Sequence, residues 1–178
     1  YIRADLTISR QLTEVDQLCR MGFFGHFYGI ESFNHASSKS IGKGMHPDKI
    51  KQGLIDIKKH FETIGKGYYR GTIGLIAGLP YETNETLNST ERWLLENWAG
   101  QAVRYSPLLL NKKKDNSYLS KNYKDYGYEE IATDPIVLDF EWRHKKDILK
   151  IDPIIWKNQN MDFFDVDKRT TKFNNQYI

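Results

Sequence analysis

The stretch Thr72-Ile73-Gly74-Leu75-Ile76-Ala77-Gly78-Leu79-Pro80-Tyr81-Glu82-Thr83 constrains this chain more than any other. An apolar run ends in Gly-Leu-Pro, and the residues that follow read as a helix start. A run that is apolar almost throughout after Gly71 suits a parallel strand covered on both faces. The carboxyl end of such a strand delivers backbone to the place where ligands gather in α/β folds. Gly74 and Gly78 interrupt an otherwise strong strand pattern. They mark either the close approach of another group or a tight interior that needs small residues. Ile76, between them, is placed to press an apolar side chain on a flat ring.

The rest of the chain alternates strand and helix signals. Residues 1–6 read as a strand. A helix capped by Ser9 or Thr13 then runs to Met21 and stops at Gly22, with Leu12, Val15, Leu18 and Cys19 on one face. Residues 24–32 read as a second strand, followed by a polar loop. Pro47 opens the next helix and Gly65 closes it, with Ile50, Leu54, Ile57, Phe61 and Ile64 at helical spacing. Residues 68–77 form the third strand. Thr83 or Asn84 caps a helix whose face is Leu87, Leu94 and Trp98 and which ends at Gly100; residues 102–110 form the fourth strand. With helices as crossovers the sheet is parallel, and right-handed crossovers curl it into a barrel or a doubly wound sheet. From Asn111 the pattern changes to a charged loop, Lys112-Lys113-Lys114-Asp115-Asn116, then Tyr118, Tyr123, Tyr126 and Tyr128. One or two helices are expected within residues 148–173.

Composition narrows the class. With 39% hydrophobic and 28% charged residues the 178-residue chain is globular rather than disordered. A net charge of +3 is too small by itself to indicate nucleic acid. No apolar run is long enough to span a bilayer. A single cysteine, Cys19, excludes an intrachain disulfide framework and suits a reducing cytoplasm.

Several residues can carry binding chemistry. Gly29-Ile30-Glu31-Ser32 places a carboxylate and a hydroxyl at a strand end, where both can hydrogen-bond vicinal hydroxyls; a solvated strand terminus is the other reading. Gly42-Lys43-Gly44 is a cation flanked by glycines, able to hold a carboxylate or phosphate, or simply an exposed loop lysine. Arg3, Asp5, Arg70 and Arg104 lie in strand segments. Alternation sends some inward, and an inward charge must be paired, so they are candidates for substrate or cofactor contacts. The five histidines show no metal-binding spacing. His26, approaching Glu31, is either packed or pocket-facing, Cys19 reads as a small buried apolar residue, and the four tryptophans read as core or interface. No catalytic residue emerges from this pattern.

Taken in order, Gly29-Ile30-Glu31-Ser32, Gly42-Lys43-Gly44, the Gly74–Thr83 motif and Val103-Arg104-Tyr105-Ser106-Pro107-Leu108 resemble the radical S-adenosylmethionine (SAM) superfamily, from the third to the sixth strand of its core barrel. They are most similar to the branch of cobalamin-binding-type and methylthiotransferase-like enzymes. The resemblance covers residues 1–110. Within the extension at 111–178, Trp156-Lys157-Asn158 and Met161-Asp162-Phe163-Phe164 are similar to carboxyl-terminal segments of that branch.

The resemblance implies an α/β fold, a partial (β/α)6 TIM-like barrel whose amino-terminal strands are missing from this chain, with a small helical tail. It also implies one [4Fe-4S] cluster holding SAM, whose reductive cleavage yields a 5′-deoxyadenosyl radical. Carried over, Glu31 hydrogen-bonds SAM with Ser32 nearby, Lys43 meets its carboxylate, and Ile76 and Gly78 flank adenine. The backbone of Ser106, Pro107 and Leu108 completes that pocket. Gly74 stands where some relatives carry an acidic residue for the ribose. The family further implies a small-molecule substrate, a reductant protein such as flavodoxin or ferredoxin, and no membrane. Its branch also brings cobalamin, which these residues do not indicate. The cluster motif, Cys-x3-Cys-x2-Cys, is expected upstream of Tyr1, since Cys19 cannot supply three thiolates. This segment alone is therefore expected to be inactive. Two other readings remain. One is a half-barrel module that binds SAM or a nucleoside without redox chemistry. The other is an unrelated α/β-barrel hydrolase or lyase using Glu31 and Lys43 as acid and base.

Overall fold

Three strands form one parallel sheet, and each crossover between them is helical. The computed structural model describes Ile8 and residues 12–112, 117–131 and 153–177. In chain order the first elements are α1 (Leu12–Arg20), β1 (Gly25–Glu31), α2 (His35–Ser40), α3 (Pro47–Ile64), β2 (Arg70–Ala77), α4 (Asn84–Asn97) and β3 (Ala102–Pro107). The strands stand in the order β1-β2-β3, each new strand added on the same side. A doubly wound sheet reverses its order at a switch point. The absence of a reversal among these strands makes this a mixed α/β fold of partial TIM-barrel type. The expected strand at residues 1–6 lies outside the described residues.

Local chemistry explains the helices. Pro47 sits in the first turn of α3, the His46 side chain accepts from the Asp48 N–H, and Gly65 donates back to the Phe61 carbonyl. Ile50, Leu54, Ile57 and Phe61 are buried along one side of α3. Thr83 caps α4 through a reciprocal pair of hydrogen bonds with Thr86, and Leu87, Thr90 and Leu94 are buried beneath it. Trp98 closes α4 and is fully buried, its Nε1 donating to the Ala102 carbonyl.

Strand alternation divides the sheet. His26, Tyr28, Ile30, Ile73, Leu75, Ala77 and Tyr105 are buried. Their neighbours Phe27, Gly29, Glu31, Thr72, Ile76, Arg104 and Ser106 are half-buried or exposed. The full two-sided cover expected for β2 is thus seen on one face of the described residues. Gly29, Gly74 and Arg104 stand in one register row across the sheet. A bulge between Gly29 and Glu31 then shifts the pairing.

Two elements differ from the sequence reading. The polar loop after β1 contains the short helix α2. Asn34 caps it by accepting from the Ala36 and Ser37 N–H groups, and the buried Ser37 and Ser38 hydroxyls donate to the Pro80 and Ser32 carbonyls. The strand expected over 102–110 ends at Pro107, which has no N–H to continue a ladder. Leu110–Asn111 (β4) instead starts a separate region with α5 (Tyr118–Lys121), a 3-10 turn Tyr123–Tyr126, β5 (Glu129–Glu130), β6 (Pro153–Ile154), β7 (Trp156–Lys157) and α6 (Phe163–Gln176). β4 pairs antiparallel with β6, and β5 with β7.

This region shares its core with the sheet. The Asn174 side chain of α6 donates to the Tyr105 carbonyl at 2.7 Å and accepts from the Tyr105 N–H at 3.3 Å, so an amide covers the open edge of β3. Arg169 meets Glu91 of α4 with two hydrogen bonds, 2.6 and 2.9 Å long. Among the described residues no helix is long and apolar enough to cross a membrane.

Candidate functional site

The less buried face of the sheet forms the wall of an open cavity of about 810 Å³. β1 contributes Phe27, Gly29 and Glu31, β2 contributes Gly74 and Ile76, and β3 contributes Arg104, Ser106 and Pro107. Alternation places Phe27, Gly29, Gly74, Ile76, Arg104 and Ser106 on the face away from the packed core, while Leu75, Tyr105 and Pro107 also border the space. A Cβ at Gly74 would lie 2.8 Å from Phe27 Cζ, so the Phe27 ring occupies the space a side chain there would need. α6 closes one side with Thr170, Thr171, Asn174 and Asn175.

Glu31 sits at the bulged tip of β1 with φ of 71°, a left-handed conformation that residues with a side chain adopt rarely. Such strain is concentrated at binding sites. Lys43 reaches back from the loop after α2. Its Nζ donates to the Gly29 carbonyl at 3.0 Å and stands 3.7 Å from Glu31 Oε1. The cation therefore neutralises the carboxylate and fastens its loop to the strand tip.

Beside the cavity lies a buried carboxylate that the sequence reading took only as part of a helix start. Glu82 accepts from the Ser32 hydroxyl at 2.6 Å, the Gly78 N–H at 2.8 Å and the Leu79 N–H at 3.1 Å. Burial pushes its carboxyl up to about 7, opposed by those three hydrogen bonds. The turn after β2 is thereby tied to the turn after β1. Ser37 donating to the Pro80 carbonyl and Asn34 donating to the Tyr81 carbonyl strengthen the same link. The signal in the sequence was an acid four residues beyond Gly78, in a turn that needs its N–H groups satisfied.

Of the nine residues singled out from sequence, Glu31, Gly74, Ile76, Ser106 and Pro107 line the cavity. Lys43 joins them through Glu31. Ser32, Gly78 and Leu108 lie in the packed support. Ser32 is buried with its hydroxyl on Glu82. Gly78 has φ of 89°, and a Cβ there would stand 2.5 Å from Trp156 Cη2. Its carbonyl accepts from the Tyr128 hydroxyl at 2.6 Å. Leu108 donates to the Ala77 carbonyl and accepts from Trp156 Nε1.

Histidine and cysteine chemistry lies elsewhere. His26 is on the packed face, edge-on to Phe61 and bonded to the Tyr28 hydroxyl, and burial pulls its pKa down. Cys19 is buried in α1, and burial pushes its thiol up. Trp98 and Trp156 are core residues, whereas Trp142 lies outside the described residues. Among the described residues no three His, Cys, Asp or Glu side chains are grouped to hold a metal ion. The residues present do not fit an iron–sulfur cluster, which needs several thiolates.

No family model and no curated protein matches the chain. Among solved structures it is similar to coproporphyrinogen III oxidase (HemN) from Escherichia coli, described as a radical SAM enzyme, at 17% identity with a TM-score of 0.49. The match covers 75% of this chain and 33% of that one, so the chain spans about a third of HemN.

Proposed function

We propose that this chain is the adenosyl-binding part of a radical SAM enzyme. The observation that carries the reading is the cavity itself, where residues from three separate strand tips (Glu31, Ile76 and Ser106) border one space. Those are the positions at which the family motifs place ligand contacts. A volume of about 810 Å³ falls within the range of small-molecule sites.

In this reading Ile76 packs against the adenine face, and its half-buried state leaves apolar surface to cover. Glu31, already fixed by Lys43, accepts hydrogen bonds from the amino group or hydroxyls of the ligand. Ser106 donates at 3.4 Å to the Leu75 carbonyl, a long bond that a better acceptor on the ligand replaces. Glu82 holds the two turns in register from behind. In that family an iron–sulfur cluster would supply the electron that cleaves SAM, and this chain, with Cys19 as its single cysteine, would not hold one by itself. What these residues do is bind and orient.

Calorimetric titration with S-adenosylhomocysteine tests this. Saturable binding is expected, weakened about tenfold or more by Ile76→Asp, which places a charge against the ring. Absence of binding, or binding indifferent to that substitution, ends the proposal. A longer form or complex that supplies three cysteine thiolates, reconstituted anaerobically with iron and sulfide, should release 5′-deoxyadenosine. Binding without that product would assign a non-redox nucleoside module instead.

A further inference from the structure

The same cavity is lined by a cation that has no ion-pair partner among the described residues. Arg104 is the one basic residue lining it, and among the described residues it has no ion-pair or hydrogen-bond partner. Its register neighbours are Gly74 and, one strand further, Gly29. Neither carries a side chain, and the Phe27 ring lies over Gly74, so Arg104 is exposed at the β3 end of the row. The lining also holds two acids, Glu31 and Asp167. Glu31 faces Lys43, and Asp167 has a partner of its own. Among the described residues no carboxylate is paired with Arg104.

Hydrogen-bonding groups stand on the same wall. Thr171 and Asn175 are one helical turn apart on α6, line the cavity and make no side-chain hydrogen bond among the described residues. Their neighbours on that helix are spoken for. Asn174 holds the edge of β3, and Thr170 donates to the Asp167 carbonyl. The Asn174 clamp also fixes α6 against β3, which holds the helix beside the strand that carries Arg104. Arg104 lies two residues before Ser106 along β3, about 7 Å deeper than the strand tip. A forked guanidinium, a hydroxyl and an amide are the groups that recognise a planar or tetrahedral oxyanion.

We propose that Arg104, Thr171 and Asn175 anchor the oxyanion, carboxylate or phosphate, of a second ligand that shares the cavity with the adenosyl group. The substrate class assigned is a small acidic molecule. That the ligand is a second one rests on the proposed function; the anion anchor does not.

The test uses inorganic phosphate and acetate as probes, each against sodium chloride at matched ionic strength. The readout is the Arg104 Nε–H signal in proton–nitrogen NMR. A saturable shift with one or both probes is expected. Arg104→Met should weaken it about tenfold or more, and Arg104→Lys, which keeps the charge and loses the fork, by less. Thr171→Val, on a different element, should weaken it about threefold. No shift beyond chloride, or affinity unchanged in Arg104→Met with its amide spectrum still dispersed, overturns the proposal. Adenosine, which carries no oxyanion, is titrated in parallel and should bind Arg104→Met as it binds the parent. If the nucleoside binds and the oxyanions do not, the anchor is refuted and the adenosyl reading stands. If the oxyanions bind through Arg104 and the nucleoside does not, the adenosyl reading fails and the anchor stands.

Discussion

The two faces of the sheet are built from the same three strands and differ in almost every physical respect. Behind it, His26, Tyr28 and Ile73 are buried, and Phe61 of α3 stacks on Tyr69 at 5.0 Å and meets His26 edge-on at 4.7 Å. In front, Gly29, Gly74, Ile76, Arg104 and Ser106 border open space. The difference teaches how one polypeptide serves stability and binding at once. Period-two alternation sends one set of side chains into dense packing, which leaves the other set free to be small, polar or charged. Substitutions of comparable size should therefore have very different costs on the two faces.

The largest effect is expected at the back. Phe61→Ala removes a fully buried ring and should cost about 3–5 kcal/mol in urea unfolding. Ile76→Ala, at the half-buried front, should cost about 1 kcal/mol. If the two cost the same, the front face is as tightly packed as the back, and the sheet is not divided in this way.

Glu82 comes next, because it joins the strand tips on which both faces depend. Glu82→Ala strands the Gly78 and Leu79 N–H groups and should cost about 3 kcal/mol at pH 6. The wild-type carboxyl also makes stability pH-dependent. Its folded pKa, about 7, is raised above the ordinary 4.5, so between those values the folded state binds more protons than the unfolded one. The contribution is fully present below pH 4.5 and is lost as pH rises through 7, by about 3 kcal/mol. Glu82→Gln keeps an oxygen for the two N–H groups and turns its amide toward the Ser32 hydroxyl, which can accept. Its unfolding free energy should lack that slope. A wild-type curve flat between pH 4.5 and 7 would remove Glu82 as the titrating group.

How much of this was legible in the sequence follows the same division. Helical spacing exposed Ile50, Leu54, Ile57 and Phe61, and the cap signals at Pro47 and Thr83 were visible, because each is a local rule. The strand tips could be named from the Gly-Ile-Glu-Ser and Gly-Leu-Pro turns. Two things stayed hidden. α2 has no apolar periodicity, since its buried residues are Ser37 and Ser38, held by hydroxyls that donate to distant carbonyls. Glu82 is joined to Ser32 across 50 positions of chain, a pairing that no local pattern encodes. The same applies to Asn174 on the edge of β3.

The glycines give a smaller, sharper contrast. Gly78→Ala forces a side chain into a left-handed conformation and against the Trp156 ring, and should cost about 2 kcal/mol. At Gly74 the obstacle is the far end of the Phe27 side chain, which can swing. Gly74→Ala should cost about 1 kcal/mol in urea and should instead narrow the cavity, weakening S-adenosylhomocysteine more than it weakens the fold. Equal losses of stability at both glycines would mean that Phe27 is locked in place and the front is as rigid as the back.

The smallest effect is expected at Lys43. Its ion pair with Glu31 spans 3.7 Å between partly exposed groups, so water and salt screen most of it. Lys43→Met keeps much of the apolar stem and removes the charge and the bond to the Gly29 carbonyl. Stability should fall by less than about 1 kcal/mol, and 1 M salt should reduce the wild-type advantage further. The consequence for binding is larger in kind. Glu31 without its cation carries an unbalanced negative charge on the cavity wall. A neutral nucleoside such as adenosine should then lose little affinity, whereas ligands bearing a carboxylate should lose more. A loss of several kcal/mol in unfolding would instead show that Lys43 holds the bulge of β1 together, making the front edge a structural clamp and the Lys43–Glu31 pair part of the core's architecture.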